Sequence, residues 1–123
     1  MKKLLYQHHI SLKNALAGIG WALRTQPNFR VHLTLSSAAV ALGWYLRISR
    51  AEFLVIIFTI ILGLAAEMIN TSLEAMTDLI TTEWRREAKI AKDVSAGMML
   101  TVAVGAAVVA VVIFGPYLWF SWQ

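Results

Sequence analysis

Residues 94–122 read VSAGMMLTVAVGAAVVAVVIFGPYLWFSW and contain no charged side chain. A helix needs about 20 apolar residues to cross the hydrocarbon core of a bilayer. A helix on the surface of a soluble bundle also needs a polar face, which this stretch lacks. The stretch therefore predicts a membrane-spanning helix, which we place at residues 88–121.

Two stretches closer to the N-terminus have the same character. Residues 53–66 read FLVIIFTIILGLAA, and the helical pattern continues beyond them, which predicts a span at 52–82. Residues 31–46 carry only Ser, Thr, His and Gly as polar interruptions and predict a span at 27–47. With 59% hydrophobic and 15% charged residues and no cysteine, the composition excludes ordinary soluble, disordered and disulfide-stapled proteins.

The N-terminal segment is amphipathic and basic. Its apolar residues fall on one helical face: Leu5, Leu12, Leu16, Ile19 and Leu23. Such a helix lies in the headgroup layer of a membrane, and we place it at about residues 4–25. The expected fold is therefore an all-α membrane protein with three transmembrane helices and an N-terminal amphipathic surface helix, in a single membrane domain over residues 1–123.

The distribution of basic residues predicts the orientation of the chain. Nine lysines and arginines lie in residues 1–30 and in the loop at 82–93, whereas two lie between the first two spans and none follow the third. Because basic loops stay on the cytoplasmic side, the N-terminus is expected inside and the C-terminus outside. The net charge of +4 is thus expected to attract anionic lipid headgroups, and no nucleic-acid partner is expected.

The second predicted span carries acidic residues on one stripe. Glu67, Asn70, Glu74 and Asp78 fall within about 80° of one another on a helix. A charged carboxylate at mid-membrane costs about 2.5–3.5 kcal/mol, so such groups are retained when they are paired, metal-bound or functional. A solvated helix end explains Asp78, and hydrogen bonds between helices explain Asn70 and Glu74, but the complete set favours a functional site.

Basic residues begin the third predicted span, where Lys89 and Lys92 precede Asp93. Carboxylates and a lysine near the cytoplasmic interface suit a magnesium-bound polyphosphate, and a desolvated carboxylate at Glu67 suits proton abstraction from an alcohol. The alternative for the lysines is contact with anionic headgroups. Neither a Walker A sequence nor a nucleophile elbow is present.

Three segments resemble one known family. Residues 67–78, EMINTSLEAMTD, resemble the signature of the small prokaryotic diacylglycerol kinases, and residues 89–97, KIAKDVSAG, match a second signature of that family. Residues 28–32, NFRVH, resemble the motif of its undecaprenol-kinase branch. The resemblance covers residues 10–115 and implies a homotrimer in the bacterial inner membrane, with active sites shared between subunits at the cytoplasmic face.

The resemblance also implies roles for individual residues. Glu67 would be the general base for the lipid hydroxyl, Glu74 would bind the Mg²⁺ of MgATP, and Ala96 and Arg30 would contact the lipid. The implied ATP-binding residues are Asn70, Asp78, Glu83, Trp84, Arg85, Lys92 and Asp93. The family commonly has a second metal-linked glutamate where this chain has Gln26, whose amide oxygen can ligate Mg²⁺ without adding charge.

The expected function is an ATP-dependent lipid kinase with undecaprenol as the favoured acceptor and diacylglycerol as the alternative. The alternative from a different functional class is that the chain is a small non-enzymatic membrane protein, either an ion pathway or an assembly subunit. An ion pathway needs polar residues through the whole membrane, but residues 53–66 offer only Thr59 and Gly63. Small residues spaced four apart suit helix assembly, and the pairs Ala39/Gly43 and Ala103/Ala107 are assigned to the oligomer of the enzyme.

Overall fold

A computed structural model describes residues 2–120 and the side chains of residues 9–119. Residues 2–120 form four helices, α1 Lys2–Thr25, α2 Pro27–Tyr45, α3 Arg50–Ile80 and α4 Arg86–Phe120. No strand occurs in residues 2–120, so the prediction of an all-helical chain is confirmed. Residue 121, the predicted end of the third span, and the side chain of Leu5 lie outside the described part.

Helix α1 meets α2 at a sharp break. Gln26 has an extended backbone with φ −100° and ψ 106°, and Pro27 begins α2 at a position where its missing N–H costs no hydrogen bond. Ala22 and Phe29 are buried on either side of this corner. Leu12 and Leu16 on α1 are exposed, as expected of an apolar stripe that faces a headgroup layer.

In the described part of the chain two helices, α3 and α4, are long and apolar enough to cross a membrane. Helix α2 is shorter, with 19 residues, and carries Arg30 and His32 in its first two turns. Its residues are less apolar on average than those of α3 and α4, so the span predicted at 27–47 stays a prediction.

The helices bury few side chains and leave much apolar surface exposed. Helix α4 packs mainly against α3, α2 packs against α3, and α1 contacts α2. The core, Ile56 with Ile113 and Phe114, is small, while Phe58 and Leu79 on α3 are 70% and 87% exposed. An exposed apolar surface of this extent marks contact with lipid or with another protein.

Polar contacts close the end of the bundle where α3 begins. Ser49 and Glu52 form a capping box: the Glu52 backbone N–H donates to the Ser49 hydroxyl, and the Ser49 backbone N–H donates to the Glu52 carboxylate. The Tyr117 hydroxyl, near the end of α4, donates to the same carboxylate at 2.8 Å. The start of α3 is therefore tied to the end of α4, opposite the end that carries the acidic stripe.

Replacing Tyr117 with phenylalanine is expected to lower the unfolding temperature of the protein in detergent by a small, measurable amount, because it removes this hydrogen bond between helices. Thermal unfolding followed by circular dichroism measures the change. Tyr45→Phe is the matched control, because Tyr45 is 79% exposed at the end of α2 and makes no contact of this kind. Equal unfolding temperatures for the two variants would contradict the role given to Tyr117.

Candidate active site

The acidic stripe of α3 is buried where it faces the other helices. Glu67 is 3% exposed and Asn70 is 7% exposed, although both lie in a helix whose outer face is apolar. Ser95 on α4, also 3% exposed, lies against Asn70. The half of the predicted stripe formed by Glu67 and Asn70 is thus directed into the bundle, whereas Glu74 and Asp78 are exposed.

A chain of hydrogen bonds orients the polar side chains of this stripe. The Ser95 hydroxyl donates to Asn70 Oδ1 at 2.6 Å, and Asn70 Nδ2 donates to Glu74 Oε1 at 3.2 Å. Because the serine occupies the amide oxygen, the amide nitrogen points toward the carboxylate. Helix α4 therefore positions Glu74 through Asn70.

A cavity of about 260 Å³ lies beside these hydrogen-bonded side chains, and we call it the Glu67 cavity. Glu67, Asn70 and Glu74 line it from α3, and Ala96 lines it from α4. Helix α2 contributes Asn28 and His32. In residues 9–119 no hydrogen bond to the Glu67 carboxylate is found, so this buried group is available to a molecule in the cavity.

A second cavity of about 450 Å³ lies at the end of the same helix pair, and we call it the Lys92 cavity. Lys92 Nζ contacts Asp78 Oδ1 at 2.5 Å across the two helices, and Lys89 pairs with Asp93 one turn apart on α4. The loop between α3 and α4 contributes Glu83, Trp84 and Arg85 to its wall. Trp84 is 80% exposed, so its ring is accessible to a planar group.

These two cavities bring together most of the predicted site residues. One contains the predicted base, the predicted metal ligand, Asn70 and Ala96, and the other contains the six remaining residues assigned to ATP. Gln26 and Arg30 line neither cavity. Gln26 precedes α2 and contacts Thr25, while Arg30 faces a separate hollow beside Pro27. The structure of this single chain does not place either residue at the site.

The donor set fits a metal that arrives with a polyphosphate. Among residues 9–119, no group of three His, Cys, Asp or Glu side chains could hold a metal by itself. Mg²⁺ is commonly held by one or two carboxylates, and phosphate oxygens and water complete its coordination. Glu74, exposed at the mouth of the Glu67 cavity, can supply such a carboxylate.

Comparison with known proteins identifies the family of this chain. A sequence profile of prokaryotic diacylglycerol kinases matches residues 13–114. The chain belongs to the prokaryotic diacylglycerol kinase family. The matched region includes α2, α3, most of α4 and every residue of the two cavities.

Two relatives show that this family includes kinases named for different lipids. A diacylglycerol kinase of Synechocystis sp. is 34% identical over 101 residues, which are 81% of this chain and 58% of that relative. An undecaprenol kinase of Bacillus subtilis strain 168 is 36% identical over 109 residues, which are 88% of each chain. The chain thus matches less than two thirds of the first relative and most of the second.

Three residues of the site were not assigned by the sequence. Asn28 and His32 lie one turn apart on α2, a spacing that places both on one face, but only the fold shows that this face meets Glu67. Ser95 looks like an ordinary small residue in an apolar span, and nothing in the sequence shows that it faces Asn70. In this family member, therefore, α2 takes part in the site through Asn28 and His32.

Replacing Ser95 with alanine is expected to lower kcat several-fold, because Asn70 then loses the donor that sets its orientation toward Glu74. A hydrogen bond of this kind contributes about 1 kcal/mol. Ser95→Thr retains a hydroxyl and is expected to recover part of the loss. Ser72→Ala is the matched control, because the Ser72 hydroxyl donates to a carbonyl of its own helix at 2.9 Å and is exposed. A Ser95→Ala variant with the kcat of Ser72→Ala would contradict the positioning role.

Proposed function

We propose that this protein is an ATP-dependent lipid kinase that transfers the γ-phosphate of MgATP to the hydroxyl of a membrane lipid. The observation that carries the proposal is the buried carboxylate of Glu67 in the Glu67 cavity. The Lys92 cavity, which is lined by basic and acidic side chains, lies next to it on the same two helices. A lipid alcohol and a water-borne triphosphate need such neighbouring sites. Kinase activity in both relatives supports the proposal.

The chemistry assigns Glu67 the part of general base. The acceptor oxygen forms a bond to the γ-phosphorus while the bond from that phosphorus to the β–γ bridging oxygen breaks, and ADP leaves. The hydroxyl proton passes to the Glu67 carboxylate. Because Glu67 lies in a protein-lined cavity with little access to water, the alcohol meets little competition as the nucleophile.

Glu74 is the residue proposed to hold Mg²⁺, together with phosphate oxygens of ATP. When bound, the metal neutralises phosphate charge as the transferred group moves. Asn70 Nδ2 donates to the Glu74 carboxylate at 3.2 Å and would orient it for binding the metal. Gln26 is kept as a proposed additional ligand on the resemblance alone.

The Lys92 cavity is the proposed nucleotide site. Lys92 and Lys89 offer positive charge to phosphate oxygens, and their pairing with Asp78 and Asp93 keeps both ammonium groups near the helix ends. The loop residues Glu83, Trp84 and Arg85 form the wall on which the nucleoside would rest. Flat rings of tryptophan commonly stack on bases.

Undecaprenol is the acceptor that we favour over diacylglycerol. The undecaprenol kinase of Bacillus subtilis matches this chain over 88% of both lengths, whereas the diacylglycerol kinase of Synechocystis sp. is matched over 58% of its own length. Ala96, at the Glu67 cavity, is proposed to contact the lipid, and Arg30, in a separate hollow on α2, is kept as a proposed second contact on the resemblance alone.

The proposed setting is the bacterial inner membrane. Helices α2, α3 and α4 would be the three spans, α1 would lie on the cytoplasmic surface, and the C-terminus would be outside. Three copies would form a homotrimer with active sites between subunits. The exposed apolar surface of α3 and α4 is compatible with helix packing between copies as well as with lipid.

The deciding experiment offers two acceptors to the purified protein. Undecaprenol and dioleoylglycerol are supplied separately in detergent with MgATP labelled at the γ-phosphate, and lipid-bound phosphate is counted. We expect transfer to both, with a higher kcat/KM for undecaprenol. Absence of labelled lipid with either acceptor, in a preparation that binds ATP, would refute the proposed activity.

A further inference from the structure

The proposed transfer leaves a proton on a buried carboxylate. Glu67 is 3% exposed and makes no hydrogen bond within residues 9–119. Each turnover adds one proton to this group, because the acceptor hydroxyl loses its hydrogen as its oxygen bonds to phosphorus. Glu67 can act as a base again only after that proton has left. A kinase with its base at this depth therefore needs a route by which the proton reaches water.

The lining of the Glu67 cavity offers one further carrier for this proton. Among the residues from 9 to 119 that line it, Glu67, Glu74 and His32 have side chains that bind a proton reversibly. Glu74 accepts a hydrogen bond from Asn70 and is the residue proposed to hold Mg²⁺. A carboxylate that ligates a metal is deprotonated and stays so while the metal is bound. The imidazole of His32 remains.

His32 faces the cavity from α2, whereas Glu67 faces it from α3. Within residues 9–119 the imidazole makes no hydrogen bond, so its ring nitrogens are available to Glu67 or to a water molecule between the two side chains. A cavity of about 260 Å³ has room for such a water. A neutral imidazole accepts a proton on one ring nitrogen and releases one from the other, which suits it to proton transfer between two groups.

The route beyond His32 leads toward the start of α2. Asn28, one turn before His32, lines the same cavity and is exposed, and His32 itself is partly exposed. The Asn28 amide can hydrogen-bond to water that joins the imidazole to the solvent.

The opposite direction offers a proton no carrier. An apolar groove of about 350 Å³ adjoins the Glu67 cavity and shares His32 and Ala103 with it. Apart from His32, the residues between 9 and 119 that line this groove have no ionisable side chain. A proton on His32 therefore leaves by the Asn28 side.

The charged groups that face His32 across the cavity are carboxylates. They are Glu67 and Glu74 on α3, whereas the part of α4 that lines the cavity is apolar and α1 does not line it. Arg30, on α2 itself, lines a separate hollow. Within residues 9–119, an imidazolium formed during turnover thus meets no like charge in the cavity.

We propose that His32 is a proton-transfer residue of the kinase, which carries the proton of the lipid hydroxyl from Glu67 to water on the Asn28 side. The acceptor O–H bond breaks as its oxygen bonds to the γ-phosphorus, and the proton passes to the Glu67 carboxylate. Glu67 then gives the proton to one ring nitrogen of His32, and the other ring nitrogen releases a proton to water, which restores both groups. This inference rests on the proposed function, because it concerns the regeneration of the base.

The first test separates the first turnover from the later ones. His32→Gln keeps a polar side chain that does not carry a proton at neutral pH. His9→Gln is the matched control, because His9 is exposed on α1 and lines neither cavity. Protein loaded with undecaprenol is mixed with MgATP labelled at the γ-phosphate and quenched at short times. We expect His32→Gln to form one labelled lipid per active site at the rate of His9→Gln, and then to turn over about tenfold more slowly or less.

A second test restores the proton carrier from solution. His32→Ala leaves the space of the ring open, and imidazole added to the buffer is expected to raise its steady-state kcat toward that of the unmodified protein. Pyrazole is the control, because it has the same ring shape but binds a proton far more weakly. The KM for MgATP should be unaltered in both variants, since His32 does not line the Lys92 cavity.

The outcomes separate this inference from the proposed function. The inference is overturned, and the kinase assignment holds, if His32→Gln turns over as fast as His9→Gln or if its first turnover is slowed as much as the later ones. Equal effects of imidazole and pyrazole on His32→Ala would overturn it as well, because the ring would then act by filling space. If the unmodified protein labels no lipid even in a first turnover, it is the kinase assignment that fails.

Discussion

Replacing Glu67 with glutamine is expected to lower kcat by about 100- to 10,000-fold, the usual contribution of a general base. Glutamine has nearly the same size and can still form hydrogen bonds, but its amide does not accept the hydroxyl proton. Since Glu67 lies outside the Lys92 cavity, the KM for MgATP is expected to change little. Initial rates at saturating undecaprenol and varied MgATP measure both quantities.

The control for this prediction is Glu87→Gln. Glu87 is an exposed carboxylate in the first turn of α4 and lines neither cavity, so the same chemical change there should leave kcat unaltered. Size-exclusion chromatography in detergent shows whether each variant keeps the assembly of the unmodified protein. A Glu67→Gln variant with normal turnover and assembly would show that Glu67 is not the general base.

Replacing Glu74 with glutamine is expected to lower activity about 100-fold or more at moderate Mg²⁺, since even groups that merely support a metal ligand contribute 10- to 100-fold. The amide lacks the negative charge that attracts the metal, so the Mg²⁺ concentration for half-maximal rate should rise. Activity should recover in part as Mg²⁺ is increased. Rates measured across a Mg²⁺ titration, at constant ATP, report this shift.

Removal of the metal and a distant variant serve as controls for Glu74. Chelation of divalent cations is expected to abolish transfer in the unmodified protein, whereas Glu87→Gln should keep an unaltered Mg²⁺ dependence. If Glu74→Gln lost activity without any change in the Mg²⁺ titration, Glu74 would act by shaping the cavity and not by holding the metal. Transfer that persists in chelator would exclude a metal role altogether.

Much of the architecture was predictable because the membrane imposes simple rules on sequence. In lipid, the backbone N–H and C=O groups of a long apolar stretch find their hydrogen-bond partners within a helix. The apolar stretches of this sequence therefore predict α3 and α4. The break at Gln26 and Pro27 was also readable, since proline limits the conformation of the residue before it. Helix α2 was harder to classify because its apolar content is lower, and its predicted span therefore stays a prediction.

The site was predictable on α3 and only in part elsewhere. Glu67, Asn70 and Glu74 share a helical face, so their proximity follows from helix geometry alone. The pairing of Asp78 with Lys92 joins residues fourteen positions apart on two helices, so it depends on the packing of α3 against α4 and not on spacing along one helix. Gln26 was assigned from the family pattern, and in this chain it lies at neither cavity.

The sequence by itself determined the helices, their apolar character and the acidic stripe, because each depends on the kind and spacing of residues along one helix. Only the tertiary structure decided that Asn28 and His32 face Glu67, that Ser95 orients Asn70, and that an apolar groove adjoins the acidic cavity. These contacts depend on how α2 and α4 are rotated about their own axes. In an apolar solvent the hydrophobic pattern does not set that rotation, so it is set by close packing and a few buried hydrogen bonds.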